Sequence, residues 1–590
     1  MLKPTPTQDT TLPRRYADFD TLLDALDYAA QGKRGLNFYS PRGELETSLT
    51  YGQIRDRAHE IGRRLVHFGI EKNSRVALIA ETNEDFVCYF LGCQYAGLLP
   101  VPLPLPTSFG GRDGYTEQLH QQMKSCEASA ALSASYMLPL LDEATSGLNM
   151  EFVGTPDTFE AQSSLTDIKN VKLPEVASDD LAYLQYSSGS TRFPHGVAVT
   201  HKSLMSNCYG IGKIGMEVDD DDRAVSWLPF YHDMGLVGML ISPIACQVSI
   251  DYLATEAFAR RPMQWLKLIS KNKGTMCSGP TFGYEICARR ANSTDLEGLD
   301  LSSWKVAGIG ADMIRPNVLE IFAETFKECG FNKKAFMPSY GLAECTLAVS
   351  FGKKLSGYSV DLVSEEVLNG NVKSYKEHKL NGNVKSFKEH KLNGNGANYR
   401  EVVDCGKPLP EYNLEIRGEH DKALGEREIG RVCVKGPSVM VGYYMDEEAT
   451  KQCLSEDGWL DTGDVGYLAN GSLFIIGRIK DLIIINGKNH WPHDIEWAVE
   501  KLPELRSGDS AAISIPGDND EEVPAILVQC RKRDEEDRED LENRIITEVQ
   551  TVIGKAPIVI LVPPRSLPRT SSGKLSRVKA RRQYLEGQLT

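Results

Sequence analysis

Several things are scarce or missing in this chain of 590 residues. No run reaches the roughly 18 consecutive apolar residues that span a bilayer. The longest candidate, Phe86 to Pro106, is interrupted by Gln94, Gly97, Pro100, Pro102 and Pro104. The N-terminus lacks the apolar core of a secretory signal, so the expectation is a cytoplasmic protein with no transmembrane segment. The 13 cysteines are odd in number and scattered, with no CxxC pair and no zinc spacing, and read as reduced core thiols. Positive charge is also in deficit: Lys+Arg 66 against Asp+Glu 81 gives a formal charge of −15. Such a surface repels a phosphate backbone, which argues against nucleic-acid binding while leaving room for a local basic pocket.

What is present is ordinary globular composition, 41% hydrophobic and 25% charged, in a chain long enough for a full core. Ile54, Ala58, Ile61 and Leu65 fall on one face of a helix over Gln53–Leu65. The apolar run Arg75–Ala80 suits a buried parallel strand. Strand-like runs such as Ala224–Leu228, Ser249–Leu253 and Lys305–Ile309 alternate with helical patterns to about residue 350, the mark of βαβ units. From about Gly425 short glycine-punctuated strands suggest an antiparallel meander. The last stretch, about 480–590, pairs strands at Ala511–Ile515 and Ala525–Gln529 with a charged helix near Asp534–Val549, and ends in a basic tail. One segment stands apart: LNGNVKSYKEHK at Leu368–Lys379 is followed by LNGNVKSFKEHK at Leu380–Lys391 and a third LNGN. A tandem duplication in a solvent loop explains it best, since the period is too short for a solenoid.

Among motifs, Gly210-Ile-Gly212-Lys-Ile-Gly215 matches a dinucleotide fingerprint but follows helical spacing and precedes an acidic run, so it reads as the end of a helix. The loop Ser187-Ser188-Gly189-Ser190-Thr191 lies between two strand-like runs and is dense in hydroxyl and backbone donors that can wrap a polyphosphate without net charge. No GxxxxGK[ST] occurs, and such loops are often only structural turns. Four later motifs give it company: Tyr340-Gly341-Leu-Ala-Glu344, Gly463-Asp464, Gly477-Arg478-Ile-Lys480-Asp481 and Gly573-Lys574. Magnesium takes carboxylates, an aspartate can accept from two ribose hydroxyls, and a lysine can neutralise a developing phosphate charge. Each also has a plain structural reading, as a cap, a turn or a solvated tail residue.

In their order and spacing, from about Thr50 to Arg577, these motifs resemble the adenylate-forming superfamily of acyl-CoA synthetases, peptide-synthetase adenylation domains and luciferases. Within it the chain looks most like the fatty acyl-AMP ligases. The resemblance rests further on Gly97-Leu-Leu-Pro-Val-Pro-Leu-Pro, on Trp227-Leu-Pro-Phe-Tyr-His-Asp-Met-Gly, and on an insertion after Tyr-Gly-Leu-Ala-Glu.

The resemblance implies an α/β fold. A large N-terminal domain of parallel βαβ subdomains plus a small β-subdomain, residues 1–477, would carry the insertion at about 351–400 with its repeat at 368–395. A small mobile α+β domain, 478–590, would follow a hinge near Lys480. It implies ATP and Mg²⁺ with Ser187–Thr191 on the phosphates and Thr191 and Glu344 at the metal. Gly310, Ala311, Asp312 and Tyr340 would bracket adenine, Gly341 would belong to the same nucleotide site, and Asp464 and Arg478 would hold the ribose. His232, Met234 and Gly235 would stand at the acyl pocket, with Lys574, Arg478 and Lys480 catalytic. The implied activity converts a fatty acid to its acyl adenylate, then passes the acyl group to a holo acyl carrier protein or a synthase carrier domain. The stretches Val237–Ile244 and Thr281–Ala288 are the candidate tunnel walls. The loop departs from the family's Thr-Gly-x-Pro-Lys-Gly in carrying Arg192 and His195. The alternatives are an acyl-CoA ligase using free CoA, an amino-acid activator, and a non-catalytic nucleotide- or lipid-binding protein.

Overall fold

The computed structural model describes residues 2–106, 111–164, 166–186, 195–364, 368, 399–485, 488–517, 522–570 and 574–589. The phosphate-loop residues Ser187, Ser188, Gly189, Ser190, Thr191 and Arg192 lie outside them, as does the 368–395 repeat apart from Leu368.

The largest sheet has nine strands. Its centre is parallel: Phe336–Gly341, Val306–Ile309, Met276–Gly279, Arg223–Ser226, Ser249–Leu253 and Gly35–Tyr39 lie side by side. Antiparallel strands finish both edges. A second, all-parallel sheet orders Leu99–Leu103, Arg75–Ile79, Ala128–Leu132 and Phe152–Gly154. The runs that read as buried strands are buried along nearly their whole length, as a sheet covered on both faces requires. Between them the helix Tyr51–Phe68 buries Ile54, Ala58, Ile61 and Leu65 together. Its start is set by Thr50, whose side chain accepts from the Gln53 N–H while Gln53 reaches back to the Thr50 N–H, a reciprocal capping box.

The helix His201–Tyr209 begins at a Thr200 cap and runs into a π-helical turn over Gly210–Gly215. The GxGxxG glycines therefore close a helix rather than open one. The strands Leu181–Tyr186 and Gly196–Thr200 pair antiparallel with Tyr186 opposite Gly196. The meander is present as Asn413–Arg417, Gly430–Lys435, Leu460–Ala469 and Ser472–Arg478, all antiparallel.

Beyond it, Ser510–Pro516, Glu522–Gln529 and Ile558–Val562 form a mixed sheet covered by the helices Pro492–Val499, Glu535–Ile553 and Arg577–Leu585. Two apolar clusters are confined to residues 483–589, so this small α+β unit has a core of its own. A third cluster joins it to the large unit by burying Trp491 with Val363, Leu368, Val402 and Ile476. All thirteen cysteines are unpaired, twelve of them buried. No helix among the described residues is long and apolar enough to cross a membrane.

Candidate active site

A crevice of about 380 Å³ opens at the carboxyl ends of the large sheet's parallel strands and is closed from the far side by the small unit. Open parallel sheets bind ligands at this edge. Two neighbouring strands deliver the first residues. Val306–Ile309 runs out into Gly310-Ala311-Asp312, and Phe336–Gly341 carries Tyr340. A Cβ at Gly341 would overlap the Leu347 carbonyl oxygen, which explains the glycine where the chain doubles back. Ala311 sits at φ +68°, in the left-handed region, as the backbone leaves the strand.

Asp464 and Arg478 face each other across an antiparallel pair, and the Arg478 Nε–H donates to Asp464 Oδ1 at 2.9 Å. The Tyr340 hydroxyl donates to Asp464 Oδ2 at 2.7 Å. Each carboxylate oxygen keeps a lone pair beyond these bonds, so the buried Asp464 can still accept from two ligand hydroxyls. The Asp464 charge raises the Arg478 pKa against its burial, and the guanidinium keeps 46% of its side-chain surface open to the crevice.

Glu344 lies in a single helical turn, Ala343–Cys345, and its Oε1 accepts from the Tyr443 hydroxyl at 2.9 Å. Among the described residues it forms no ion pair, and burial raises its pKa while Arg478 opposes that shift. A half-buried carboxylate without a counter-ion suits Mg²⁺, which needs one or two carboxylates when nucleotide phosphates complete its shell. The described residues hold no cluster of three or more metal-ligating side chains.

Lys574 enters from the small unit on a hairpin bridged by Arg569 and Leu575. The Thr570 N–H donates to the Lys574 carbonyl at 2.7 Å, and the Lys574 N–H to Thr570 Oγ1 at 3.2 Å. Burial lowers the Lys574 pKa; Asp312, Asp233 and Asp464 oppose that shift, and Arg478 adds to it. On the remaining side, His232 Nδ1 stands 2.6 Å from Asp233 Oδ1, which also accepts from the Met234 N–H at 2.7 Å.

Gly310, Ala311, Asp312, Tyr340, Gly341, Glu344, Asp464, Arg478, Lys574, His232 and Met234 all line this one crevice. Two of the expected site residues are placed elsewhere. Gly235 packs on the Pro229 carbonyl oxygen, where a Cβ would collide, and Lys480 is exposed in the turn Ile479–Asp481 between the large and small units. Of the two stretches expected as tunnel walls, only Gly238 from the first and Thr281 and Phe282 from the second line the crevice. Val237 and Met239–Ile244 are buried core, because these positions of the π-helix Met234–Ile241 and its continuation pack away from the crevice, which Met234 and Gly238 line. His195, at the end of the loop, turns Nδ1 to Asp446 at 3.0 Å.

The description of the AMP-binding enzyme family matches residues 29–444, well over half of the chain. The chain belongs to that family. It is 44% identical over 588 residues, covering 100% of this chain and 98% of the other, to a Caulobacter vibrioides protein named for an acyl-CoA synthetase. It is 34% identical over 589 residues to the medium-chain-fatty-acid–[acyl-carrier-protein] ligase JamA of Moorena producens, covering 97% and 96% of the two chains. A structure solved in work on fatty acyl-adenylate ligases from E. coli and L. pneumophila superimposes with a TM-score of 0.89, at 45% identity over 98% and 99% of the two chains. The chain is thus an adenylate-forming ligase with the two-domain arrangement of its relatives.

In this AMP-binding enzyme the apolar part of the crevice is lined by Ile211, Met216, Leu347, Phe351 and Ile475, none of which sequence reasoning placed there. Tyr443 and Arg315 were missed as well. The one available signal was the insertion point itself, since Phe351 closes the strand that leads into it.

Proposed function

We propose that the protein activates a fatty acid with Mg·ATP to an acyl adenylate, releasing pyrophosphate, and then passes the acyl group to the phosphopantetheine thiol of a carrier protein. The observation that carries this reading is one crevice with a polar end at Asp464, Tyr340 and Arg478, an apolar end at Met216, Leu347 and Phe351, and the Lys574 hairpin between large and small units. In the first step a carboxylate oxygen bonds to the α-phosphorus, the bond from that phosphorus to the bridging oxygen breaks, and pyrophosphate leaves with the electron pair. Two anions meet, so the chemistry needs charge neutralisation and positioning rather than a nucleophilic side chain.

In this reading Asp464 accepts from the ribose hydroxyls, Gly310–Asp312 and Tyr340–Gly341 border the adenine, and Glu344 with Thr191 holds Mg²⁺. Ser187–Thr191 wraps the phosphates and Lys574 bridges carboxylate and α-phosphate. The metal neutralises phosphate charge when bound. His232 and Met234 stand at the entry of the acyl chain. In the second step the thiolate attacks the acyl carbonyl and AMP leaves. The large domain is assigned to residues 1–477 and the small domain to 478–590. Rotation about Lys480 gives the thiol access.

The carrier acceptor is favoured by the name of the JamA relative, and free CoA by that of the Caulobacter one. The deciding experiment forms the adenylate from a fatty acid and then supplies either CoA or a holo carrier protein. Thioester on the carrier and none on CoA is expected. Efficient acyl-CoA formation makes the protein an acyl-CoA ligase instead.

A further inference from the structure

Three ion pairs join residues before 478 to residues from 478 onward among the described residues: Arg478–Asp464, Arg400–Asp494 and Arg315–Glu500. The first lies at the joint itself and the second beside the insertion hairpin. The third leads to the loop that contacts the foot of the Lys574 hairpin. Arg315 sits at the start of the helix Pro316–Thr325, three positions after Asp312 in the same crevice-lining segment. Within the large lobe its guanidinium is held by Glu285, on the helix Thr281–Arg290. The same group donates to Ser507 Oγ and lies 3.5 Å from Glu500 Oε2, both in the small unit. A guanidinium has five donors in a fixed fork and can serve both lobes at once.

From there the contacts lead straight to the lysine. Glu500 Oε1 accepts from the Gly508 N–H at 2.7 Å and from Ser510 Oγ at 3.1 Å, fixing the loop that begins at Ser507. The Gly508 carbonyl accepts from Arg569 Nη2 at 2.9 Å. Gly508 has φ +76°, and a Cβ there would collide with the Arg569 guanidinium, so the glycine lets the arginine approach the backbone closely. Arg569 is the foot of the hairpin that presents Lys574. Burial, reinforced by Glu496, pushes the Glu500 carboxyl up to about 8, and Arg315 opposes the shift. Arg315 is thus a cation that favours the ionised form of Glu500, which burial otherwise keeps largely protonated near neutral pH.

We propose that Arg315 is a positioning residue for adenylation: anchored by Glu285, it seats Glu500 and Ser507 of the cap and so holds the Lys574 hairpin in the crevice. This rests on the reading of function above. Arg315 acts through the cap and takes no part in bond making, and its cap contacts must break when the cap turns for acyl transfer.

The test compares wild type with Arg315→Met, Arg315→Lys and, from the cap side, Ser507→Ala. For Arg315→Met, adenylate formation is expected to fall about tenfold or more in kcat, with KM for ATP and fatty acid within about twofold. Transfer from supplied acyl adenylate is expected at the wild-type rate or faster. Arg315→Lys should recover part of the loss and Ser507→Ala show a smaller one of the same kind. Without substrates, amide hydrogen exchange at Gly508, Thr570 and Lys574 should quicken in Arg315→Met. Equal losses in both half-reactions, a change in KM alone, or unchanged exchange at these amides each overturns the proposal. If wild type forms no acyl adenylate, the functional reading fails, yet the exchange comparison still decides whether Arg315 holds the cap.

Discussion

Replacing Lys574 by alanine separates a catalytic lysine from a surface-tail lysine. The ammonium lies among Asp312, Asp233 and Asp464, with Arg478 as the opposing charge. In the proposed mechanism it is the preorganised cation that bridges carboxylate and α-phosphate. Losing one such donor costs roughly 3–4 kcal/mol of transition-state stabilisation, or about 10²–10³ in rate. The alanine also removes a cation from the neighbourhood of three carboxylates, so ATP should bind more weakly as well. Folding should change little, because the hairpin is closed by backbone bonds through Thr570 that survive the substitution. The assay is fatty-acid-dependent pyrophosphate release under single-turnover conditions, alongside acyl transfer from supplied adenylate and a melting curve. The expected pattern is a large loss in the first and little change in the other two. Pyrophosphate release within about threefold of wild type refutes the placement of Lys574 at the reacting phosphate.

Three further outcomes follow from the same geometry. Asp464→Asn removes a charged acceptor shared by Tyr340 and Arg478 and should raise KM for ATP about tenfold or more, since a hydrogen bond to a charged group contributes roughly 1.5–3 kcal/mol; titration of ATP binding reads this directly. Gly235→Ala places a Cβ on the Pro229 carbonyl oxygen and should destabilise the fold by about 1–3 kcal/mol in urea unfolding, the usual cost of overpacking. His201 is buried, its Nδ1 accepts from the Leu22 N–H, and burial pushes its pKa down to about 4 from an ordinary 6.5. The unfolded chain then binds the proton first, so this group costs no stability above pH 6.5 and about 2–3 kcal/mol by pH 4.5. A His201→Asn variant should show a flatter decline between those pH values, and an unchanged slope contradicts the assignment.

The parts of the molecule legible in the sequence are those governed by local pattern. Ile54, Ala58, Ile61 and Leu65 announce their helix because one face must be apolar, and Arg75–Ile79 announces its strand because both faces are covered. Tyr340, Glu344, Asp464, Arg478 and Lys574 were legible through the order of their motifs, and the structure brings all five to one crevice. What local pattern cannot carry is a partnership made only by folding. Tyr443 lies 99 residues from the Glu344 it supports, and Arg315 is 192 from Ser507. The apolar residues that line the crevice were only partly legible for a related reason. Leu236, Val237, Met239–Ile241 and Phe351 are equally apolar in sequence, and only the packing of the π-helix makes the first set core while Gly238 and Phe351 line the crevice. Gly235 shows the converse, a motif residue whose place is dictated by the close approach of Pro229.

The central claim is that this crevice joins a fatty carboxylate to the α-phosphate of ATP. Its most direct test is mass-spectrometric analysis of the purified protein with Mg·ATP and a series of fatty acids, with no thiol present. The account predicts enzyme-bound acyl adenylate and an equal amount of pyrophosphate, both absent in the Lys574→Ala protein. Hydrolysis of ATP to ADP, or pyrophosphate release that does not depend on the fatty acid, contradicts it.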